Sequence, residues 1–133
     1  MMTGGCLCGG VRYEVGGPQL FGGFCYCIDC RKTSGGHSAS MAVPEASVKI
    51  TGETRSYVGK GDSGNPVERV FCPNCGSAIL SRGARPGVVM LKANTLDDPE
   101  QFKPMAAIYV SRAASWDGPP AGMPAFPEMP PQS

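Results

Sequence analysis

The sequence predicts a mainly β domain, built from short antiparallel strands with only a few short helical turns. Apolar residues alternate with polar ones in short runs, as where Val11, Tyr13 and Val15 alternate with Arg12 and Glu14. The 19 glycines and 13 prolines separate these runs along the chain. No run has the length of an ordinary helix, and no βαβ alternation is visible. Short strands divided by such turns are typical of antiparallel folds.

In the N-terminal half, the alternation predicts a half-buried strand at residues 11–15, which a Gly-Gly-Pro sequence ends. An aromatic-rich strand is predicted at 20–27 and a third strand at 38–43, which Pro44 ends. Between them, residues 28–34 are expected to form one short helical turn, because Gly35 and Gly36 follow directly. Strands at 48–51 and 54–58 are expected to form a hairpin around Gly52.

In the C-terminal half, residues 59–66 are expected to form a polar loop before a strand that leads into Cys72. The strands predicted here cover residues 67–71, 78–81, 88–92 and 107–110. Residues 82–87 are expected to separate two of these strands. A capped short helical turn is predicted at 97–102, where acidic residues precede and follow Pro99.

Length and charge narrow the possible functions. The chain of 133 residues is expected to form one domain, and its net charge of +1 gives no basic face for nucleic acid. No apolar run approaches the roughly 20 residues needed to cross a bilayer. The first ten residues lack the basic and apolar regions of a secretory signal. We therefore expect a cytoplasmic protein without membrane partners, whose cysteines bind metal or react rather than form disulfides.

The chain is expected to divide into one folded domain at residues 1–118, which contains all seven cysteines, and a Pro-rich tail at 119–133. The prolines of this tail are Pro119, Pro120, Pro124, Pro127, Pro130 and Pro131. We expect the tail to pack on the domain or trail from it, docking only at its apolar residues, which are Met123, Phe126 and Met129. Trp116 and Phe126 are expected to be packing residues.

The seven cysteines fall into three groups with informative spacing. They are a C-x-C (Cys6, Cys8), a C-x-C-x-x-C (Cys25, Cys27, Cys30) and a C-P-x-C-G (Cys72, Cys75, Gly76). Residues i and i+2 of a strand point to one face, so a C-x-C presents two thiols side by side. In the third group, Pro73 fixes φ and Gly76 permits the left-handed conformation that closes a turn. Two such half-sites supply the four thiolates of a closed structural zinc site.

Counting favours one way of combining these groups. If the C-P-x-C-G group pairs with Cys6 and Cys8, the middle group remains as a separate set of three, whereas the other pairing isolates Cys6 and Cys8. A set of three leaves a coordination position open, which is typical of catalytic zinc. Two alternatives stay open for the middle group: a redox pair of Cys27 and Cys30, or a second structural site that an outside ligand completes.

Three further candidate residues lie near the middle group. Arg31 and Lys32 directly follow Cys30. They are either solvated charges or cations that offset three thiolates on zinc and attract an anionic ligand. His37 is the only histidine and could complete the set of three. A lone histidine without a spacing partner is weak support for ligation, so we expect His37 at a polar loop edge.

The order of these motifs resembles the glutathione-dependent formaldehyde-activating enzyme family, whose domain is shared with centromere protein V. The matching segments are residues 5–13, 24–35, 69–77 and 96–99, with all seven cysteines in register. Family members often carry His where this chain has Tyr26. In a strand Tyr26 would point away from the flanking thiols, so this departure bears on the substrate more than on the metal.

The resemblance implies a β-rich fold similar to that of methionine sulfoxide reductase B. It also implies two zinc ions, one structural and one catalytic. The structural zinc would be held by Cys6, Cys8, Cys72 and Cys75, and the active-site zinc by the catalytic residues Cys25, Cys27 and Cys30. Arg31 and Lys32 are the candidate cofactor-binding residues, here for an anionic thiol.

The implied activity is that of a carbon–sulfur lyase acting in reverse. Glutathione or another small thiol would condense with formaldehyde or another small aldehyde to give S-hydroxymethylglutathione or a similar adduct. A non-catalytic zinc-binding interaction module is the alternative, which strong surface charge or long flanking tails would favour, and this chain has neither. A thiol redox enzyme is the third hypothesis, for which a reversible Cys27–Cys30 disulfide would be the mark.

Overall fold

The computed structural model describes residues 1–61 and 64–130 and shows the mainly β architecture that the sequence predicts. Within these residues the strands are β1 (Met2–Gly5), β2 (Arg12–Val15), β3 (Phe21–Cys25), β4 (Ser38–Pro44), β5 (Val48–Thr51), β6 (Arg55–Lys60), β7 (Pro66–Phe71), β8 (Ala78–Arg85), β9 (Val88–Lys92) and β10 (Ala106–Ile108). The α-helix α1 (Ile28–Ser34) follows β3. Short 3₁₀ turns occur at Glu45–Ser47, Ala93–Thr95, Pro99–Gln101 and Val110–Arg112.

The described strands form two sheets. The smaller has the order β1-β2-β5, and the larger has the order β10-β3-β4-β9-β8-β7-β6. Every pairing is antiparallel except that of β10 with β3. The antiparallel architecture predicted from the Gly and Pro turns is therefore confirmed, with one parallel pairing near the edge of the larger sheet.

The core is formed by the alternating apolar positions of both sheets. Val11, Tyr13 and Val15 are each 2% exposed or less, and they belong to one apolar cluster with Met41 of β4 and Leu91 of β9. Because strand side chains alternate between faces, residues at the intervening positions point away from this cluster. The period-two pattern read from the sequence thus identifies the buried face of the smaller sheet.

The opposite side of the larger sheet, called the outer face below, carries the polar residues that matter for the site. Its members, taken from the pairing of β3, β4, β9, β8 and β7, are Cys25, Ser38, Ser40, Lys92, Met90, Ser81 and Arg69. Helix α1 contacts β4 and lies over one end of this face. The outer face therefore joins the middle group of cysteines to a strip of polar side chains.

The hairpin expected around Gly52 is wrong. Strand β5 pairs with β2 in the smaller sheet, whereas β6 pairs with β7 in the larger one. Gly52 has a φ of +100°, and a Cβ there would collide with the carbonyl oxygen of Gly10. The chain crosses closely over Gly10 at this point and passes from one sheet to the other instead of folding back on itself.

Several predicted boundaries also differ from the structure. Strand β8 continues to Arg85, so most of the loop expected at 82–87 is strand, with a bulge between Arg82 and Arg85. Strand β1 was not predicted. Of the loop expected at 59–66, residues 59 and 60 belong to β6, and residues 62–63 lie outside the described residues. The short helical turns expected at 28–34 and 97–102 are present as α1 and Pro99–Gln101.

The segment that follows β10 lies along this strand and contacts it through backbone hydrogen bonds. The Ala107 N–H donates to the Pro124 carbonyl at 2.8 Å, and the Phe126 N–H donates to the Ala107 carbonyl at 2.9 Å. Met129 is 55% exposed and Trp116 is 73% exposed, so the expectation that Trp116 packs is wrong. The domain boundary at residue 118 stays a prediction, and residues 131–133 of the tail lie outside the described residues.

In the part of the chain that the structure describes, none of the helices has the length and apolar character that crossing a bilayer requires.

Candidate metal centres

Four thiols lie together where the turn after β1 meets the connection between β7 and β8. The Sγ atoms of Cys6, Cys8, Cys72 and Cys75 all lie within 4.8 Å of one another. Cys6 and Cys72 are buried, Cys75 is half-buried, and Cys8 is exposed. All four are free thiols, so the structure brings together the set of four that the counting of cysteines favoured.

The connection between β7 and β8 is a tight turn that directs donors at a sulfur. Gly76 has a φ of +79°, and its N–H donates to the Cys72 carbonyl at 2.9 Å. The backbone N–H groups of Asn74 and Cys75 lie 3.4 and 3.5 Å from the Sγ of Cys72. Hydrogen bonds from Ser77 lower the pKa of Cys75 to about 5. The Ser77 donors therefore favour the thiolate form of Cys75, the form that metal binding requires.

The C-x-C at Cys6 and Cys8 is a turn and not the extended strand expected. The Gly9 N–H donates to the Cys6 carbonyl at 3.2 Å, and Gly9 has a φ of +82°. The Val11 N–H donates to the Cys6 Sγ at 3.2 Å. The Leu7 N–H donates to the Ser77 hydroxyl at 3.1 Å. Ser77 therefore links the two halves of the four-thiol cluster.

The spacing of these sulfurs fits a tetrahedral zinc ion. A Zn–S bond of about 2.3 Å places tetrahedral sulfurs about 3.8 Å apart. The Sγ atoms of Cys6 and Cys8 are 3.6 Å apart, and those of Cys8 and Cys72 are 3.7 Å apart. A disulfide would need sulfurs about 2 Å apart. The four-thiol cluster therefore has the donor type, number and spacing of a closed zinc site.

The remaining three thiols lie at the junction of β3 and α1. Cys25 is the last residue of β3, Cys27 is the N-cap of α1 with extended backbone, and Cys30 lies in the first turn. The Cys27 Sγ accepts a hydrogen bond from the Cys30 N–H at 3.2 Å. Gly35, with a φ of +78°, ends the helix. The change from strand to helix thus turns three thiols of one short segment toward a common point.

This three-thiol cluster is one ligand short of a closed tetrahedral site. Its Sγ atoms lie within 4.8 Å of one another, and each cysteine is half-buried. Among residues 1–61 and 64–130, no further Cys, His, Asp or Glu joins the cluster. Zinc sites with three protein ligands keep a position for water or substrate. The three thiols therefore fit a metal ion with one exchangeable position.

Contact among the three thiols shifts their pKa values in opposite directions. Hydrogen bonds from Cys25 and Cys30 lower the pKa of Cys27. The hydrogen bond that Cys25 makes to Cys27 raises the pKa of Cys25. Neighbouring thiols cannot all ionise easily, because each thiolate disfavours the next. A divalent cation bound among them would remove this restriction, since a coordinating thiol is deprotonated.

Arg31 and Lys32 lie on α1 beside this cluster. The Arg31 Nη1 donates to the Arg112 carbonyl at 3.2 Å, so this side chain connects the helix to the turn after β10. Lys32 is exposed. An anion-binding role for these two residues stays a prediction.

The sequence interpretation missed Lys92, which lies next to the three-thiol cluster. Its Nζ donates to the hydroxyls of Ser34 and Ser38 at 2.8 and 2.7 Å. Ser38 is 1% exposed and pairs directly with Cys25. Burial lowers the pKa of Lys92, and the negative charge of Cys30 opposes this shift. In the sequence, the only indication of this role is a lysine at the end of an apolar strand. Its position beside Cys25 depends on the pairing of β4 with β9, which joins residues far apart in the sequence.

His37 lies close to the cluster in sequence but on the other side of the sheet. Cys25 pairs with Ser38, so His37 and Tyr26 occupy the alternate positions that face away from the thiols. The His37 Nδ1 lies 2.9 Å from an Asp117 carboxylate oxygen, and its ring centroid is 5.0 Å from that of Tyr26. Tyr26 is buried, and its hydroxyl donates to the Gly118 carbonyl at 3.2 Å. His37 is therefore not a fourth ligand of the three-thiol cluster.

Comparison with known proteins supports the family resemblance that the cysteine motifs indicate. Residues 1–112 match the family model for the glutathione-dependent formaldehyde-activating enzyme. A curated protein of Halomonas elongata, named as a candidate enzyme of this type, is 31% identical over 85 residues. The match covers 59% of this chain and 54% of that protein, so the chain spans about half the length of the curated relative it matches.

A crystal structure of a Rhodobacter sphaeroides protein shares the fold. It superimposes with a TM-score of 0.59 and covers 94% of this chain and 99% of its own length, at 16% sequence identity. The family model extends over the strands and turns that supply all seven cysteines. The chain therefore belongs to the glutathione-dependent formaldehyde-activating enzyme family.

Proposed function

We propose that this protein is a zinc-dependent carbon–sulfur lyase that forms or breaks a thiol–aldehyde adduct such as S-hydroxymethylglutathione. The observation that carries the proposal is the contrast between two thiol clusters, one with four sulfurs and one with three. A set of four protein ligands closes a zinc site, and a set of three leaves room for a reactant. The family to which the chain belongs supplies the thiol and aldehyde classes.

The two clusters would divide structure and catalysis between them. Cys6, Cys8, Cys72 and Cys75 would hold a structural zinc that ties the turn after β1 to the connection between β7 and β8. Cys25, Cys27 and Cys30 would hold the catalytic zinc. The four sulfurs come from distant parts of the chain, whereas the three come from one short segment. Loss of metal from the second cluster should therefore affect the fold less than loss from the first.

The proposed reaction is an addition without a redox step. The sulfur of the thiol forms a bond to the aldehyde carbon, the carbonyl π-bond opens, and the proton of the thiol ends on the former carbonyl oxygen. When bound, a zinc ion with three protein thiolates would favour the nucleophilic thiolate form of the substrate. Holding thiol and aldehyde side by side would supply much of the rate increase by proximity.

The chain's own residues suit this reaction in two ways. The three thiols are half-buried, so a small thiol can approach them while α1 and the sheet exclude part of the water. The Lys92 ammonium is held by two serine hydroxyls beside the cluster, where it offsets the charge of several thiolates. We also propose that the reaction takes place in the cytoplasm, where small thiols stay reduced.

The test is the rate of exchange between ¹³C-formaldehyde and its glutathione adduct, measured by exchange NMR with and without the protein. The uncatalysed exchange supplies the baseline. We expect the wild-type protein to accelerate exchange, and Cys27→Ser to abolish the acceleration while its circular dichroism stays that of wild type. Lys49→Gln is the matched surface control, because Lys49 is exposed on the smaller sheet.

Two results would contradict the proposal. No acceleration by a wild-type protein that holds zinc in both clusters would remove the enzymatic function and favour a binding module. Unfolding of Cys27→Ser would contradict the division of labour between the clusters.

A further inference from the structure

The outer face of the larger sheet leads from the three-thiol cluster to a second cation. Cys25 pairs with Ser38, and Ser40 of the same strand pairs with Lys92. Two residues before Lys92, Met90 pairs with Ser81, which in turn pairs with Arg69. Because positions two residues apart share a face, these side chains form one continuous strip. The strip is partly exposed beyond Ser38, so a ligand bound at the thiols could extend along it.

Lys92 is fixed at the near end of this strip. Two of its three N–H donors are used by Ser34 and Ser38, at 2.8 and 2.7 Å. The Ser38 hydroxyl is also 2.5 Å from that of Ser40. These contacts hold the ammonium in one place and leave one donor for a ligand.

Arg69 lies at the far end of the strip. Its charge is close enough to Lys92 to contribute to the lowered pKa of that residue. In the described ranges no carboxylate forms an ion pair with Arg69, whereas Arg82 on the neighbouring strand pairs with both Glu45 and Glu68. The three thiols offset the charge of Lys92 at the near end of the strip, whereas Arg69 has no carboxylate partner among the described residues. A bound anion that contacts both side chains would reduce the repulsion between these two cations.

We infer that Lys92 and Arg69 form a carboxylate-recognition site beside the three-thiol cluster, and that it selects thiol substrates carrying a carboxylate. This inference rests on the proposed function for the identity of the ligand. The planar guanidinium of Arg69 suits a carboxylate, which it can bind through two parallel hydrogen bonds. Strands β7 and β9 are separated by β8, about 10 Å in all. The long side chain of Arg69 can reach across β8 toward the ammonium of Lys92, which its two serine partners hold in place.

The geometry gives the site a role in selecting the substrate. A thiol such as glutathione carries its sulfur between two carboxylates. With its sulfur at the three thiols, one carboxylate would lie along the strip toward Lys92 and Arg69. A thiol without a carboxylate, such as 2-mercaptoethanol, could reach the same cluster without this contact. Discrimination between the two kinds of thiol should therefore depend on these two side chains.

The experiment measures binding of S-methylglutathione, a thioether that keeps both carboxylates and lacks a thiol, by calorimetry to zinc-loaded protein. We expect Arg69→Gln and Lys92→Gln each to raise the Kd about tenfold or more, the cost of a lost charge-assisted hydrogen bond. Arg85→Gln and Lys49→Gln remove equal charges at exposed positions on β8 and β5 and should leave the Kd unchanged. The diethyl ester of S-methylglutathione should bind weakly to all five proteins.

Zinc content and thermal unfolding are measured on every variant. If Lys92→Gln loses zinc or unfolds, the result for Arg69→Gln alone tests the carboxylate-recognition site. Equal binding of S-methylglutathione by wild type and Arg69→Gln overturns the inference. The inference is also overturned if wild type binds the diethyl ester as tightly as S-methylglutathione itself. In the exchange assay, KM for glutathione should rise in Arg69→Gln while KM for 2-mercaptoethanol, which carries no carboxylate, does not. A parallel rise for both thiols also overturns the inference.

The outcomes separate this inference from the proposed function. If wild type accelerates adduct exchange but substitution of Arg69 changes neither Kd nor KM, the recognition site is wrong and the reaction stands. If wild type binds S-methylglutathione through Arg69 but does not accelerate exchange, the carboxylate site stands and the reaction is wrong.

Discussion

The Sγ atoms of Cys8 and Cys72 lie 3.7 Å apart, although 64 residues separate them in the sequence. This contact joins the turn that leads into β2 to the turn between β7 and β8, and hence the smaller sheet to the larger. A metal bound here acts as a cross-link between the two sheets. Structural zinc sites with thiolate ligands contribute on the order of 10 kcal/mol to folding.

Replacing Cys72 should therefore destabilise the whole domain. In Cys72→Ser we expect loss of the structural zinc and a large fall in thermal unfolding temperature, because Cys72 is 2% exposed and its Sγ accepts two backbone donors. The measurement is circular dichroism during heating, with zinc per chain by elemental analysis. Leu7→Ser is the control, since Leu7 lies between Cys6 and Cys8 of the same four-thiol cluster and is 89% exposed. A Cys72→Ser protein as stable as wild type would show that this cluster does not support the fold.

Removal of metal should distinguish the two clusters kinetically. We expect two zinc ions per chain, released to a chelating dye in two phases. The fast phase should come from Cys25, Cys27 and Cys30, because an open coordination position lets a chelator enter. The slow phase should follow unfolding. Zinc release is read from dye absorbance, and unfolding from circular dichroism in the same sample.

A matched variant checks which phase belongs to which cluster. Cys27→Ser should keep the slow phase and lose the fast one. A single phase that coincides with unfolding in the wild-type protein would contradict the assignment of two unequal sites.

Because the chain crosses closely over Gly10 at Gly52, adding a single methyl group at Gly52 should lower the stability of the domain. In Gly52→Ala the left-handed backbone costs about 1–2 kcal/mol, and the Cβ also meets the Gly10 carbonyl oxygen. We expect a destabilisation clearly larger than that backbone cost, measured by urea unfolding. Gly87→Ala isolates the backbone contribution, because Gly87 has a φ of +74° with no atom near the Cβ position. Equal destabilisation by the two substitutions would show that the crossing is not tight.

Gly52 also shows where prediction from the sequence succeeds and where it fails. Local geometry was predictable, since Gly35 ends α1 and Gly76 closes the turn after Cys72. The pairing of strands was not, because short strands with similar patterns give no indication of which partner each will find. The sequence pattern therefore predicts a hairpin around Gly52, although in the structure the two strands belong to different sheets.

In the candidate site, too, local features could be predicted from the sequence, whereas contacts that depend on strand pairing could not. The grouping of thiols into four and three could be deduced by counting cysteines, because each motif supplies its own half-site. The position of Lys92 beside Cys25 could not, because it depends on the order β3-β4-β9 in the larger sheet. The C-x-C spacing does not distinguish the turn found at Cys6 from an extended strand, because it presents paired thiols in either conformation.

We expect the pair formed by His37 and Asp117 to stabilise the fold and to take no part in catalysis. The carboxylate of Asp117 accepts hydrogen bonds from the His37 backbone N–H at 2.7 Å and contacts its Nδ1 at 2.9 Å, which ties the segment after β10 to the start of β4. In Asp117→Ala the partly buried His37 N–H loses its partner, which should lower the free energy of unfolding by about 1–3 kcal/mol. The measurements are urea unfolding and hydrogen exchange at the His37 amide, with the exposed Glu53→Ala as control.

Because His37 faces away from the three thiols, the adduct exchange rate of zinc-loaded Asp117→Ala should change by less than about twofold, a difference of well under 1 kcal/mol in the barrier. A large loss of exchange rate in a variant of wild-type stability would contradict this expectation and would place the His37–Asp117 pair in the chemistry, acting through the sheet on Cys25. Loss of stability with an unchanged exchange rate would instead agree with its position on the opposite face.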